Sequence, residues 1–240
     1  MDKEFSVVCI SDTHNKHKQV DLPPGDLLVH AGDFSSYGYK HELESTISWF
    51  KKNASKYTHG IVFIAGNHDR SVDPVKWREY EDHDLMKTYV EGEKISWVKE
   101  QLDALKDTNI HYLENSSVVI NGIKIWGSPY SPSFNRARWA FNADRGDEIK
   151  AIWDTIPNDA DIVLAHGPVA YKLDFTEYGR EYVGCEDLRK VIERVKPKLF
   201  VSGHIHESYG IEESTDTIYV NASICNLRYE PSNLPIIIKI

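Results

Sequence analysis

Five short apolar runs in this chain each break off at a polar, chemically competent residue with glycine close by, and this repetition constrains the fold more than any other feature. Val7-Val8-Cys9-Ile10 leads into Ser11-Asp12-Thr13-His14, and Leu27-Leu28-Val29-His30-Ala31 into Gly32-Asp33. Val62-Phe63-Ile64-Ala65 leads into Gly66-Asn67-His68-Asp69, Val163-Leu164-Ala165 into His166-Gly167-Pro168, and Leu199-Phe200-Val201-Ser202 into Gly203-His204-Ile205-His206. Brief, β-rich apolar runs bounded by turn residues read as buried strands. Ligands of open α/β sheets gather outside the carboxyl ends of their strands. Five such ends meeting on one rim would bring two aspartates, an asparagine and several histidines together.

The remaining pattern supplies the frame. Strand signals also occupy residues 117–128, 217–223 and 235–240, and Asn121-Gly122 between two alternating runs is the signature of a type I′ hairpin. The last two strands, joined by a loop near Pro231, are expected to pair antiparallel. Helical periodicity covers residues 40–56, 95–106, 147–156 and 186–195, the last with Leu188, Val191, Ile192 and Val195 on one face. Strands fed by helices early and hairpins later imply a mixed α/β architecture with two sheets and outer helices. No repeat or low-complexity linker interrupts the chain, so residues 1–240 are expected to form one domain.

Composition narrows the function. A formal net charge of -9 argues against a protein that grips long nucleic acid by neutralising phosphates. It leaves small phosphate esters open, because bound cations would invert the local sign. The N-terminus shows no basic segment followed by a long apolar one, and no apolar run is long enough to span a bilayer. No membrane association is expected. Three cysteines, Cys9, Cys185 and Cys225, lack metal-ligand spacing and suit free thiols in a reducing compartment, so a cytoplasmic setting is expected.

Singly, each strand-end motif is unremarkable: an Asp-x-His pair arises by chance, Gly-Asp is usually a turn, and a buried His is usually structural. Together they are costly, since burying so many polar groups at one end of a core costs several kcal/mol unless something pairs them. Metal ions are the natural partner. Carboxylate, imidazole and amide donors without thiolate suit manganese, iron or zinc in a hydrolytic site rather than a structural zinc. An aspartate shared by two cations is the arrangement used for in-line phosphoryl displacement.

The series DTH, GD, GNHD, HG and GHIH resembles the signature of the calcineurin-like metallophosphoesterases. The longer strings WGSPYSPSFNRARWAFN, VGCEDL, PKLFVSGHIHESYG, YVNASIC and NLPIIIKI are similar to one branch, the metallophosphoesterase-domain class III phosphodiesterases. The resemblance implies a four-layer αββα sandwich of two mixed β-sheets flanked by helices. It implies two divalent metal ions, manganese first, with iron, zinc or magnesium as alternatives. Asp12, His14 and His206 would hold the first ion, Asn67, His166 and His204 the second, and Asp33 would bridge them. His68, with Asp69 beside it, would protonate the leaving group or stabilise the transition state.

Residues 131–142 admit two readings. They form either a surface loop over buried aromatics or a substrate wall, with Arg136 or Arg138 clamping phosphate and Phe134, Trp139 or Phe141 facing a base. Should that loop be scaffold only, Ser35, Ser36 and Tyr37 are the other source of selectivity. Trp49, Trp97 and Trp153 read as core, Cys185 and Cys225 as packing, and the acidic stretch 79–84 around His83 as solvated loop rather than a metal site. The leading function is a phosphodiesterase acting on small or nucleotide-like, including cyclic, phosphodiesters. A protein phosphatase is disfavoured because Gly32-Asp33 is followed by Phe34-Ser35-Ser36-Tyr37-Gly38 rather than an Asp-Arg-Gly ending, and Asn67-His68 by Asp69 rather than Glu. A nuclease is disfavoured by the acidic charge, and a non-catalytic module by the intact ligand set.

Overall fold

The computed structural model describes residues 4–73, 75, 95–105, 107–134 and 139–240. The acidic stretch 79–84, the Trp97 side chain and residues Arg136 and Arg138 lie outside the described residues.

Strands β1 (Ser6–Ile10), β2 (Leu27–Ala31), β3 (Ile61–Ile64) and β4 (Ile110–Tyr112) run parallel in one sheet. The second sheet begins with a hairpin of β5 (Ser116–Ile120) and β6 (Ile123–Ser128). Short pieces β7 (Ser131–Pro132) and β8 (Asn142–Ala143) pair with each other. Next come β9 (Ile162–Ala165), a small separate hairpin of β10 (Phe175–Thr176) and β11 (Glu181–Tyr182), then β12 (Leu199–Ser202), β13 (Gly210–Glu213), β14 (Ile218–Asn221) and β15 (Ile236–Lys239). The sheet orders are β15-β1-β2-β3-β4 and β13-β14-β12-β9-β6-β5, both mixed.

Period-two alternation builds the layers. Val7, Cys9, Leu27, Val29, Val62 and Ile64 face inward and meet Ile125, Ile162, Leu164, Leu199, Val201 and Val220 of the second sheet. On the outer face of the first sheet, Val8, Ile10, Leu28, Ile61 and Phe63 receive Leu43, Ile47 and Phe50 of α1 (Lys40–Asn53) and Val98 of α2 (Ile95–Asp103). On the outer face of the second, Trp126, Val163 and Phe200 receive Ile149 and Trp153 of α3 (Asp147–Trp153) and Leu188, Val191 and Ile192 of α4 (Glu186–Val195). Helix, sheet, sheet, helix: the fold is the four-layer αββα sandwich. Trp49 and Trp153 are core residues.

Local chemistry sets the boundaries. The α1 helix proper stops at Asn53 and tightens into a 3₁₀ turn over Ala54–Lys56. Cys185 is more than packing, since its sulfur caps α4 by accepting from the Leu188 N–H and also receives the Trp153 indole N–H. Asn121 and Gly122 have φ of 51° and 78°, as a type I′ turn requires at both central positions.

The expected antiparallel pairing of the last two strands is wrong. Both edges of β14 are taken, by β12 in parallel and β13 antiparallel, while β15 joins the other sheet antiparallel to β1. Gly-Ile-Glu-Glu of β13 has too little apolar character to read as a strand, so the sequence gives no sign that this edge of β14 is taken. The connecting segment 222–235 therefore crosses between the sheets over the strand ends. It is tied to the first sheet by Ile224 N–H to Ser11 O (2.9 Å) and Cys225 N–H to Asp12 O (3.2 Å).

Candidate metal centre

The strands that end in polar residues are β1, β2, β3, β9 and β12, and their carboxyl ends do meet. Asp12, His14, Asp33, Asn67, His166, His204 and His206 come together with His68 beside them. Asp12, His14 and His206 form one group whose donor atoms lie within 4.8 Å of one another, and Asp33, His166 and His204 a second. Asp33 also forms a group with His14 and His68, so its carboxylate lies between the two sides. Asn67 Oδ1 is 3.0 Å from His166 Nε2.

Backbone geometry aims these side chains. Asp12, His14, Asp33 and His204 have φ of 50°, 40°, 55° and 66°, in the left-handed region that L-residues enter at a cost of about 1–2 kcal/mol each. Such strain clustered on one rim is a mark of a functional site. At Gly203 a Cβ would lie 2.0 Å from Asp12 Oδ2 and 2.1 Å from Ser11 Oγ, so only glycine lets β12 turn this close to the carboxylate.

Four imidazoles are held the same way. Nδ1 of His14, His68, His166 and His206 donates to the carbonyls of Ser35 (3.2 Å), Ser36 (2.7 Å), Ala31 (2.8 Å) and Asn226 (3.0 Å). A carbonyl can only accept, so Nδ1 carries the hydrogen and Nε2 points inward. This is the tautomer and outer-shell support that metal-ligating histidines use.

Electrostatics points the same way. Burial pushes His14 down to about 4, the Asp33 and Asp12 charges only partly offsetting it, and burial with the neighbouring His166 pushes His204 down to about 3. Both are neutral, competent donors near pH 7. For His166 burial opposes the charge, but Asp33, Asp12 and the Ala31 carbonyl outweigh it and raise it to about 9. Burial likewise favours protonated aspartates, yet the hydrogen bond and charge of His206 hold Asp12 below the usual carboxylate range, and His166 and His68 do so for Asp33. Two buried carboxylates balanced only by histidine protons form a donor set that fits divalent cations.

Two residues expected to act on substrate are placed elsewhere. Asp69 turns away from the rim: fully buried, it accepts from Ser35 N–H (2.8 Å), Ser35 Oγ (2.6 Å), Gly66 N–H (2.8 Å) and Phe34 N–H (3.3 Å). It locks the loop after β2 to the loop after β3, while the His68 ring is oriented by Ser36. Phe141 packs in the core against Tyr130, because its N–H is anchored to buried Asp73 (2.8 Å) and its backbone is left-handed. Trp139 stands 4.4 Å from the His68 ring, with the Arg70 guanidinium over it and Phe134 stacked at 6.2 Å.

Sequence reading named Phe134 and Trp139 of the outer wall but missed Glu207, Leu227 and Tyr229 and the brace. A cleft of about 290 Å³ is lined by Asp33, Asn67, His68, His204 and His206 together with Phe134, Trp139, Glu207, Leu227 and Tyr229. Tyr229 packs edge-on against His14 at 4.7 Å and His206 at 5.3 Å. Beneath the rim, Ser223 Oγ donates to Asp12 Oδ2 (3.0 Å), and Asn221 Nδ2 donates to the carbonyls of Gly203 and Ile205. Tyr219–Cys225 followed by a turn was the available signal, but nothing in it reveals that the chain doubles back over the ligands.

Comparison with known proteins agrees with the geometry. Residues 5–208 match the calcineurin-like phosphoesterase family. Metallophosphoesterase domain-containing protein 1 of Homo sapiens and that of Mus musculus are each 37% identical over 97% of this chain and 70% of their own length. The phosphopantetheinyl hydrolase of Mycobacterium tuberculosis shares the fold, with a TM-score of 0.58 at 12% identity over 97% of this chain and 96% of that one. Family membership implies divalent metal ions, and among the described residues no helix is long and apolar enough to cross a membrane. The chain belongs to the calcineurin-like phosphoesterase family, as a metal-dependent phosphoesterase similar to metallophosphoesterase domain-containing protein 1.

Proposed function

We propose that the enzyme is a phosphodiesterase of small, including nucleotide-like, phosphodiesters, working with two divalent cations, manganese in the first place. The observation that carries this reading is the charge of the cleft wall. Glu207 lines it, and no lysine or arginine appears among its described lining residues. A phosphomonoester dianion brings one more negative charge toward Glu207 than a diester monoanion does, and the described lining residues supply no lysine or arginine to offset it.

In this proposal Asp12, His14 and His206 hold one cation and Asn67, His166 and His204 the other, with Asp33 shared. When bound, the pair supplies a water acidified to near-neutral pKa and positive charge for the phosphoryl oxygens. In its doubly protonated form His68 keeps Nδ1–H on the Ser36 carbonyl and gives its Nε2 proton to the departing ester oxygen, a contribution typically worth about 10²–10⁴-fold. Trp139 and Phe134 offer a base or aryl group an aromatic face beside the rim. Asp69, Ser223 and Asn221 position the groups that act.

Rates with manganese on bis-p-nitrophenyl phosphate, p-nitrophenyl phosphate and a phosphopeptide test the reading. The diester is expected to be turned over fastest. Faster turnover of either monoester would overturn it in favour of a phosphatase.

A further inference from the structure

The small hairpin β10–β11 is bound to the metal rim. Ser208 Oγ donates to the Phe175 carbonyl (2.8 Å), and Glu177 N–H donates to Glu207, which itself lines the catalytic cleft. Between this hairpin and β7 lies a second cavity of about 490 Å³, well within the range of small-molecule sites. It shares Phe134 and His204 with the catalytic cleft, so the two lie side by side against these rings.

Its chemistry is distinctive. Pro132, Phe134, Pro168, Val183 and Ile205 supply apolar walls. The cationic group, Arg145, gives both terminal nitrogens to the carbonyls of Gly184 (2.9 Å) and Val183 (2.6 Å) and so serves as a brace. Glu181 adds one negative charge. A phosphate or carboxylate would find little here, and an uncharged apolar group would find a shaped surface.

Position gives the cavity a direction. His68, beside which the leaving oxygen departs, belongs to the group with His14 and Asp33, whereas the cavity opens past His204, which belongs to the group with His166. We infer that this cavity is the binding site for the retained, uncharged aryl or alkyl arm of a phosphodiester. The inference rests on the diesterase reading above. In the reaction, water oxygen bonds to phosphorus and the bond to the leaving oxygen breaks. The retained ester bond survives, and the product is a monoester whose arm still occupies the cavity.

The test uses two diesters with the same leaving group, phenyl p-nitrophenyl phosphate and methyl p-nitrophenyl phosphate, on the metal-replete enzyme. Wild type is expected to favour the phenyl compound by about 10-fold or more in kcat/KM, the effect of burying one ring. Val183→Trp, which fills the cavity, should bring that ratio near one. Thr176→Trp, on the other strand of the same hairpin, should do the same if Val183→Trp fails to fold. Calorimetry of phenyl phosphate against methyl phosphate reads the cavity without turnover, and the same preference should appear in wild type and vanish in the variants. A wild-type enzyme inert to both diesters would sink the diesterase reading but leave this binding comparison to decide the cavity. Equal affinity for the two monoesters, or a phenyl preference untouched by both variants, overturns the inference.

Discussion

His14 and His206 meet nitrogen to nitrogen, Nε2 to Nε2 at 3.2 Å, although 192 residues separate them. His14 is held neutral by burial and presents a lone pair. His206 is raised, because the hydrogen bond and charge of Asp12 outweigh its burial, and its Nε2 hydrogen lies between Asp12 Oδ1 (3.2 Å) and His14. A cation entering this group must displace that proton.

Metal uptake is therefore expected to release protons. Without metal, the Asp33 and Asp12 charges outweigh burial and raise His166 to about 9, and Asp12 raises His206 above its ordinary value. At pH 7 His166 therefore holds a proton that competes with metal, and His206 holds its own more tightly than a free imidazole. Raising the pH removes the competitor, so apparent affinity should climb from pH 6 and flatten beyond about 9. Calorimetric titration with manganese in two buffers of different ionisation enthalpy measures the effect, with about one to two protons released at pH 7. Heats independent of buffer would show that the histidines enter binding already neutral.

Asp33→Asn should abolish most metal binding and nearly all turnover, because Asp33 is the one carboxylate common to two of the donor groups. Elemental analysis and manganese-dependent rates check this. Full metal content in the variant would refute the shared role.

His68→Asn should slow an alkyl diester by about 10²-fold or more and a p-nitrophenyl diester much less, since p-nitrophenolate leaves unaided. Equal losses on both substrates would argue for a structural role instead.

Asp69→Ala leaves the N–H groups of Ser35, Gly66 and Phe34 without their buried acceptor, and the Ser35 hydroxyl with only the His68 carbonyl. At about 1–3 kcal/mol for a buried unsatisfied donor, the loss of unfolding free energy should reach about 3 kcal/mol or more. Urea denaturation measures it, and a wild-type midpoint would mean that the two loops are held by other contacts.

Gly203→Ala should lower metal content without grossly unfolding the protein, as the new methyl would push Asp12 from its place. Gly122→Ala, in the exposed turn where a methyl meets nothing within 4 Å, is the control and should retain full metal content.

The convergence of the candidate ligands was legible because each follows an apolar run, and burial of Val7–Ile10 or Leu199–Ser202 dictates where the next polar residue emerges. The α4 face and the Asn121-Gly122 hairpin were legible for the same local reason, periodicity and turn chemistry. What stayed hidden depends on contacts across sheets. In sequence Asp69 adjoins His68, but which way its side chain turns at the start of the 3₁₀ helix Arg70–Val72 is settled by the donors around it. Phe141 follows an aromatic-rich loop, and only the anchor on Asp73 sends its ring inward. The route of segment 222–235 hinges on β13, whose Glu-Glu ending conceals a strand.

That route also orders events at the ribosome. Every proposed ligand lies at or before His206, yet the groups that fasten Asp12 and His206, the Ser223 hydroxyl and the Asn226 carbonyl, come later, and β1 lacks its outer neighbour until residues 236–239 arrive. Contacts this distant in sequence form slowly. A nascent chain thus displays these side chains before the residues that fasten them have been made.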